Sequence, residues 1–249
     1  MSQIAAAMAA GGGEPGRVSH FSPDVWEQND SPQQRLADLA RRQYGVVDHR
    51  ELAACGLSST TVARWTGEGR LHHVHRGVYA VGHSSLTGHG RWMAAVKACG
   101  PDALLSHTSG AALSNLRRSS SPIIHVTTPN RRSPKGIRVH RVRALHPDDA
   151  AVVDGIPVTS VARTLLDLAD VLPPRQVIRA IEQAERLQIF DLNAVTRLLA
   201  RSNGRRVKKL GDAIAAVQGE PPRVNSDWER DLLDFCDDRR SACPTTTGR

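Results

Sequence analysis

The sequence lacks the cysteine patterns that staple small secreted domains or hold zinc. Its four cysteines, Cys55, Cys99, Cys236 and Cys243, form no C-x-x-C pair, and none stands at zinc-finger spacing from a histidine. They read as ordinary thiols of a reducing compartment. No run reaches the ~18 apolar residues of a membrane span, which argues against a helical membrane protein. No Lys or Arg precedes the short apolar piece Ile4–Ala10, and three glycines follow at once. A secretory signal is thereby disfavoured, and the expected location is the cytoplasm. There is no G-x-S-x-G elbow for a nucleophilic serine and no internal repeat. Aromatic residues make up only 4% of the chain, so a core drawn from its 40% hydrophobic residues is mostly aliphatic.

Acidic charge is also in deficit. The 33 Lys and Arg residues against 25 Asp and Glu leave a formal net charge of +8 over 249 residues, with a pI near 10.0. That balance favours an anionic partner, nucleic acid first and an acidic protein second. The length suffices for one large domain or for two to three small ones, each with its own core.

The text of the chain divides it into four parts. Residues 1–31 are rich in Gly, Pro, Ser and Ala without a period, and read as a disordered leader or as a start codon placed too early. Residues 32–84 carry three short helical patterns. PQQRLADLARRQY sets Leu36, Leu39, Ala40 and Tyr44 on one stripe, with Pro32 placed for a first turn after Ser31. GVVDHRELAACG has Asp48 and Glu51 at capping-box spacing and closes at Gly56. LSSTTVARWTGEG starts at Ser58 or Ser59 and ends at Gly67 or Gly69. Three short helices with a glycine turn before the third describe a helix-turn-helix. Leu71–Val74 and Val78–Val81 then alternate like strands about the turn His75-Arg76-Gly77, which makes a wing.

Residues 85–219 read as an α+β domain with a helical C-terminal part. A helix over GHGRWMAAVKACG precedes a short strand running into a helix capped at Ser106. IIHVTT and GIRVHRVRAL are strands joined by the basic turn PNRRSPK, and VVDGIPVT is a strand pair turning at Asp154-Gly155. Four helical stretches follow, from SVARTLLDLAD to RRVKKLGDAIAAV. Residues 220–249 form a fourth part. The expected fold class is therefore α+β, an N-terminal winged helix-turn-helix followed by an α+β domain.

Candidate sites follow from this layout. In the third helix Val62 and Trp65 face inward, which turns Ser59, Thr60, Thr61, Arg64 and Glu68 outward. Hydroxyls at a helix start can hold phosphates beside free N–H groups, and Arg64 is the side chain suited to the two acceptors of a guanine edge. In the wing, Arg70, His73, His75 and Arg76 offer donors to a phosphate backbone or minor groove. The segment LHHVHRGVYAVGH also raises a metal reading. His73 and His75 share a strand face, but zinc needs three or four converging ligands, and only Glu68 and His83 are near. The expectation is a wing without a metal, and a protein without a cofactor.

Other polar groups have ordinary readings. Ser106-His107-Thr108-Ser109 resembles a nucleophile beside a base, yet Ser at a helix start is an ordinary N-cap. No catalytic residue is expected. Asp148, Asp149 and Asp154 lie near turns, where acids are commonplace. Arg131, Arg132, Lys135, Arg138, Arg141 and Arg143, with His140, would form a basic hairpin, either a second nucleic-acid or protein-docking surface or an edge protected by charge. Arg205, Arg206, Lys208 and Lys209 oppose the dipole at a helix start, which hints at a partner.

Taken together, GLSSTTVARWTGEGRLHHVHRGVYAVGH, GRWMAAVKACGPDALLSHTSGAAL, GIRVHR and DGIPVTSVARTLLDLA resemble the AbiEi-type antitoxins of type IV toxin–antitoxin systems, common in actinobacteria. The resemblance runs from about Leu36 to about Val217. It implies a winged helix-turn-helix binding double-stranded DNA at the promoter of its own operon, as a dimer on an inverted repeat or as paired monomers. It also implies a second domain opposing a nucleotidyltransferase toxin. No chemistry is assigned to the SHTSGAAL and TSVARTLLDL blocks. Many relatives continue into a domain like the very-short-patch-repair endonucleases. SDWERDLLDFCDD, from Ser226, resembles its opening helix, while SACPTTTGR resembles none of its later strands. The expected reading of 220–249 is a truncated remnant. The enzyme alternative, a degenerate nuclease, would require those strands. The second departure from relatives is SNL after GAAL, at the end of a helix.

Overall fold

The computed structural model describes residues 31–118 and 121–219. The leader, apart from Ser31, and the nuclease-like segment from Ser226, with Cys236 and Cys243, lie outside the described residues.

Helix α1, Pro32–Arg42, begins with a full capping box: Ser31 Oγ accepts from the Gln34 backbone N–H, and the Gln34 side chain accepts from that of Ser31. It buries Leu36, Leu39 and Ala40, then ends where Tyr44 and Gly45 take φ values of 55° and 80°. Strand β1, Val46–Asp48, follows; three residues are too few for periodicity to announce a strand, and in the sequence GVVD runs straight into the next helix. Helix α2, His49–Ala54, carries the Asp48/Glu51 capping box. Helix α3, Ser59–Gly67, is capped by Ser58. Strands β2, Leu71–His75, and β3, Val78–Val81, complete a sheet of order β1-β3-β2, all antiparallel. This is a winged helix-turn-helix. Its own core gathers Leu36, Leu39, Val47, Leu52, Trp65 and Leu71.

The second unit is built on a five-stranded sheet. Helix α4, Gly88–Cys99, is capped by Thr87. Strand β4, Leu104–Leu105, leads into helix α5, His107–Leu113. Strands β5, Ile124–Thr128, and β6, Ile137–Arg141, come next, followed by a 3-10 turn, Pro147–Asp149. The hairpin of β7, Ala150–Val153, and β8, Ile156–Thr159, turns at Asp154 and Gly155, both at positive φ, as a two-residue turn of this hand requires. The strand order is β6-β5-β4-β8-β7. Helices α6 (Val161–Val171), α7 (Pro174–Arg186), α8 (Leu192–Ala200) and α9 (Arg205–Val217) bury one apolar cluster around Leu165, Leu166, Ile181, Leu198 and Leu210. At the end of α5 the SNL departure resolves simply. Asn115 adopts φ 57°, the left-handed cap that asparagine tolerates, and Leu116 drops into that core.

One expectation is overturned. Strands β5 and β6 pair in parallel, Ile124 opposite Ile137 and Thr128 opposite Arg141, so Arg131 to Arg143 do not form a hairpin. Alternation tells which face a residue occupies, not which way its strand runs. A link as short as 129–136 suggested a hairpin, because a parallel crossover ordinarily takes about a dozen residues or more. Here Asn130 pins the start of the crossover by donating to Pro101 O and Thr128 Oγ1.

The two units are packed together. A single buried cluster joins Val46 and Val78 of the winged unit to Met93, Val96, Leu105, Val126, Ile156 and Val158. Polar ties reinforce it. Glu51 accepts from Gln43 at 2.8 Å and from Lys97 on α4 at 2.6 Å, and Tyr44 Oη donates to Asp154 O at 2.8 Å. Among the described residues, no helix is long and apolar enough to cross a membrane.

Candidate nucleic-acid interface and a buried histidine cluster

The outward face of α3 is made by its cap and its first turns. Ser58 Oγ accepts from the Thr61 N–H and lies 3.0 Å from Thr61 Oγ1, so Thr61 is half-buried and engaged in the cap. Ser59 and Thr60 stay exposed beside it. Trp65 is buried, and Val62 packs against the same core. Arg64 is two-thirds exposed (66%) and lies 3.7 Å from Glu68, a loose surface pair that an incoming acceptor can displace.

The expected wing residues occupy distinct settings. Arg70 lays its guanidinium 3.9 Å from the centre of the Trp65 ring, which fixes its stem at the base of the wing. His73 is exposed and rests against Tyr79, ring centres 4.6 Å apart. The strand then bulges: His73 pairs with Tyr79 but His75 with Val78, so Val74 is the extra residue and points to the core between the units. His75 is half-buried, and burial lowers its pKa. It is therefore neutral at pH 7 and a weaker phosphate partner than Arg76, which is exposed at the turn. Gly77 closes that turn at φ 74°. A Cβ there would meet His49 Nδ1 at 3.2 Å, so the wing folds back on the start of α2.

Residues 34–82, the helices and wing just described, match a family model described as "Transcriptional regulator, AbiEi antitoxin". Over these residues the chain is similar to the AbiEi antitoxins. No curated protein matches the chain.

Beyond this unit, Arg131, Arg132, Lys135, Arg138, Arg141 and Arg143 are all exposed, on the crossover, along the edge strand β6 and just past its end. Among the described residues, the histidines that converge are not those of the wing. They are His107 at the start of α5, His125 on β5 and His140 on β6, each offering one ligand atom within 4.8 Å of the other two. His125 Nδ1 and His140 Nε2 are 3.0 Å apart, and the rings of His107 and His140 stack at 3.5 Å. Burial is the largest cause lowering all three pKa values, to about 2 for His107 and about 4 for His125; neighbouring cations and imidazoles add to it, and Asp170 opposes it at His140.

The setting of His107 departs from the N-cap reading of Ser106. Ser106 occupies the cap position but makes no side-chain cap bond. Its hydroxyl accepts from Thr127 at 2.8 Å and lies 3.0 Å from His107 Nδ1. His107 has φ 51°, a left-handed backbone that a bulky side chain rarely adopts. Asp167, wholly buried on α6, places Oδ2 at 4.0 Å from the same Nδ1. Serine and aspartate thus both face one nitrogen, so the ring cannot relay a proton between them as a hydrolytic triad does. Asp167 Oδ1 accepts from Arg163 at 2.9 Å and lies 3.6 Å from Arg206, while Oδ2 has no hydrogen-bond partner among the described residues. Burial raises the Asp167 pKa to about 6, against the opposing pull of Arg163. Arg163 also donates to Asp149 at 2.8 Å, and Arg201 closes on the same carboxylate. In the sequence Ser106, His107 and His140 stand out and His125 and Asp167 do not, and the four separate blocks SHTS, IIHV, RVHR and TLLDL carry no sign that they meet.

Proposed function

We propose that the chain is a DNA-binding autorepressor and antitoxin that counteracts a nucleotidyltransferase toxin in a type IV system. The match of residues 34–82 to a transcriptional-regulator antitoxin family carries this reading. The layout of the winged unit supports it: a capped helix exposes Ser59, Thr60 and Arg64, and a wing exposes His73 and Arg76. On this reading Arg64 reads a base edge, and Ser59, Thr60, Thr61, Arg70, His73, His75 and Arg76 position the duplex through phosphates. Affinity comes from charge and falls with salt. The exposed arginines from Arg131 to Arg143 serve as a second basic surface for nucleic acid or for an acidic protein. Cell toxicity assays with a co-encoded nucleotidyltransferase test the antitoxin half.

The DNA half is tested by fluorescence anisotropy on the upstream duplex against a scrambled one, with a salt series. We expect preference for the upstream duplex that survives a chelator, and a loss of about 1–3 kcal/mol in Arg64→Ala. Equal affinity for both duplexes would remove the operator. A preference for single strands or RNA, abolished by replacing Arg138 and Arg141, would move the binding surface to β6.

A further inference from the structure

The strongest unassigned feature is the cluster of three imidazoles between α5, β5 and β6. We propose that His107, His125 and His140 bind a single first-row transition-metal dication, zinc foremost, with Asp167 and Ser106 orienting His107 from behind. The site lies in the second unit, outside the segment of the family match, and does not depend on the DNA-binding reading.

Convergence is the first argument. Four-coordinate zinc at a Zn–N distance of about 2.0–2.1 Å holds its nitrogens roughly 3.3 Å apart. One pair here, His125 Nδ1 and His140 Nε2, stands at 3.0 Å, and the three residues each offer a ligand atom within 4.8 Å of the others. Spreading the stacked rings of His107 and His140 is the adjustment that binding requires. Three neutral imidazoles leave one position open on a tetrahedral ion, for water or an anionic ligand. Imidazole ligands without thiolate suit zinc, copper or nickel above magnesium or calcium.

The surroundings of His107 are the second argument. Metal-bound histidines ordinarily give their other N–H to a carboxylate or another fixed acceptor, which sets tautomer and ring angle. Here Ser106 Oγ and Asp167 Oδ2 both face His107 Nδ1, and the second is a buried carboxylate oxygen with no hydrogen-bond partner among the described residues. The arrangement is held from outside: Arg163 fixes the other oxygen of Asp167, and Thr127 fixes Ser106. The left-handed backbone of His107 adds local strain, which folds retain where a side chain must be aimed. Its ligands come from three elements, so the ion would tie the edge strand β6 to β5 and to the start of α5.

The test uses the full chain without a histidine tag, stripped with a chelator and dialysed. Zinc is titrated by calorimetry, bound metal is counted by mass spectrometry, and Co(II) is substituted to read the absorption of a tetrahedral site. We expect one zinc per chain at micromolar affinity or tighter, and a raised melting temperature. His140→Gln, at the half-buried ligand, should weaken binding at least tenfold, and Asp167→Asn by about 10–100-fold. His73→Gln with His75→Gln should leave it unchanged. Should His107→Gln fail to fold, His140→Gln still decides, with circular dichroism as the control for folding. A folded wild-type chain that takes up no zinc or cobalt would overturn the site. So would undiminished affinity in His140→Gln, or loss of zinc in the wing double variant.

Discussion

At the scale of single residues, buried charge in the second unit is arranged as a chain rather than as isolated pairs. Asp149 accepts from both Arg163 and Arg201, and Arg163 reaches on to Asp167. Neutralising Asp149 takes one of two buried carboxylate partners from Arg163, which keeps Asp167, so the cost reaches at most the about 3–5 kcal/mol of a fully broken buried pair. Arg163 and Asp149 side chains are 8% and 6% exposed, so that ceiling applies. Asp149→Asn should lower urea stability by up to that much, whereas Asp154→Asn, at an exposed turn, should change it little. Equal effects would show that the network contributes no more than a surface pair. None of this was visible in the sequence, where Asp148, Asp149 and Asp154 look alike. Only the 3-10 turn before β7 sends the middle one inward.

At the scale of elements, the wing departs from an ideal hairpin at one residue. The bulge at Val74 turns His75 into the half-buried position that lowers its pKa. A histidine whose folded pKa lies below its unfolded value of about 6.5 takes up a proton first in the unfolded chain. The stability from His75 is therefore whole above about pH 6.5 and erodes as pH falls below it. Urea midpoints at pH 7.5 and pH 5.5 should converge in His75→Gln relative to wild type. An equal drop in both proteins would show that the wing stays wet. One capping box, by contrast, was legible from spacing alone. Asp48 with Glu51 is a local device whose partner lies three residues away, and it was read from that spacing; the same device at Ser31 and Gln34 emerged only in the structure.

At the scale of the whole molecule, the join between the winged unit and the sheet is packed apolar surface rather than a linker. Helix α4 touches both sheets, and Val46 and Val78 sit in the same buried cluster as Ile156 and Val158. Cutting between residues 84 and 85 would expose part of that cluster. We therefore expect one cooperative urea transition, coincident by tryptophan fluorescence and far-ultraviolet circular dichroism. Two separated transitions would show that the units fold independently and that their contact adds little.

The sequence by itself determined the α+β class, the order of nearly all helices and strands, the caps that start the second and third helices and the winged helix-turn-helix. These are written in residues a few positions apart, in periods of two or 3.6 and in the turn chemistry of glycine and asparagine. Tertiary structure alone decided that β5 and β6 run in parallel, that Asp149 is buried and that three distant histidines share one site. Strand direction depends on the path of the connecting chain. A convergent site depends on which elements the sheet places side by side. His107, His125 and His140 meet because α5 leaves the end of β4, next to β5, and β6 pairs with β5 on its other edge. No local spacing encodes that.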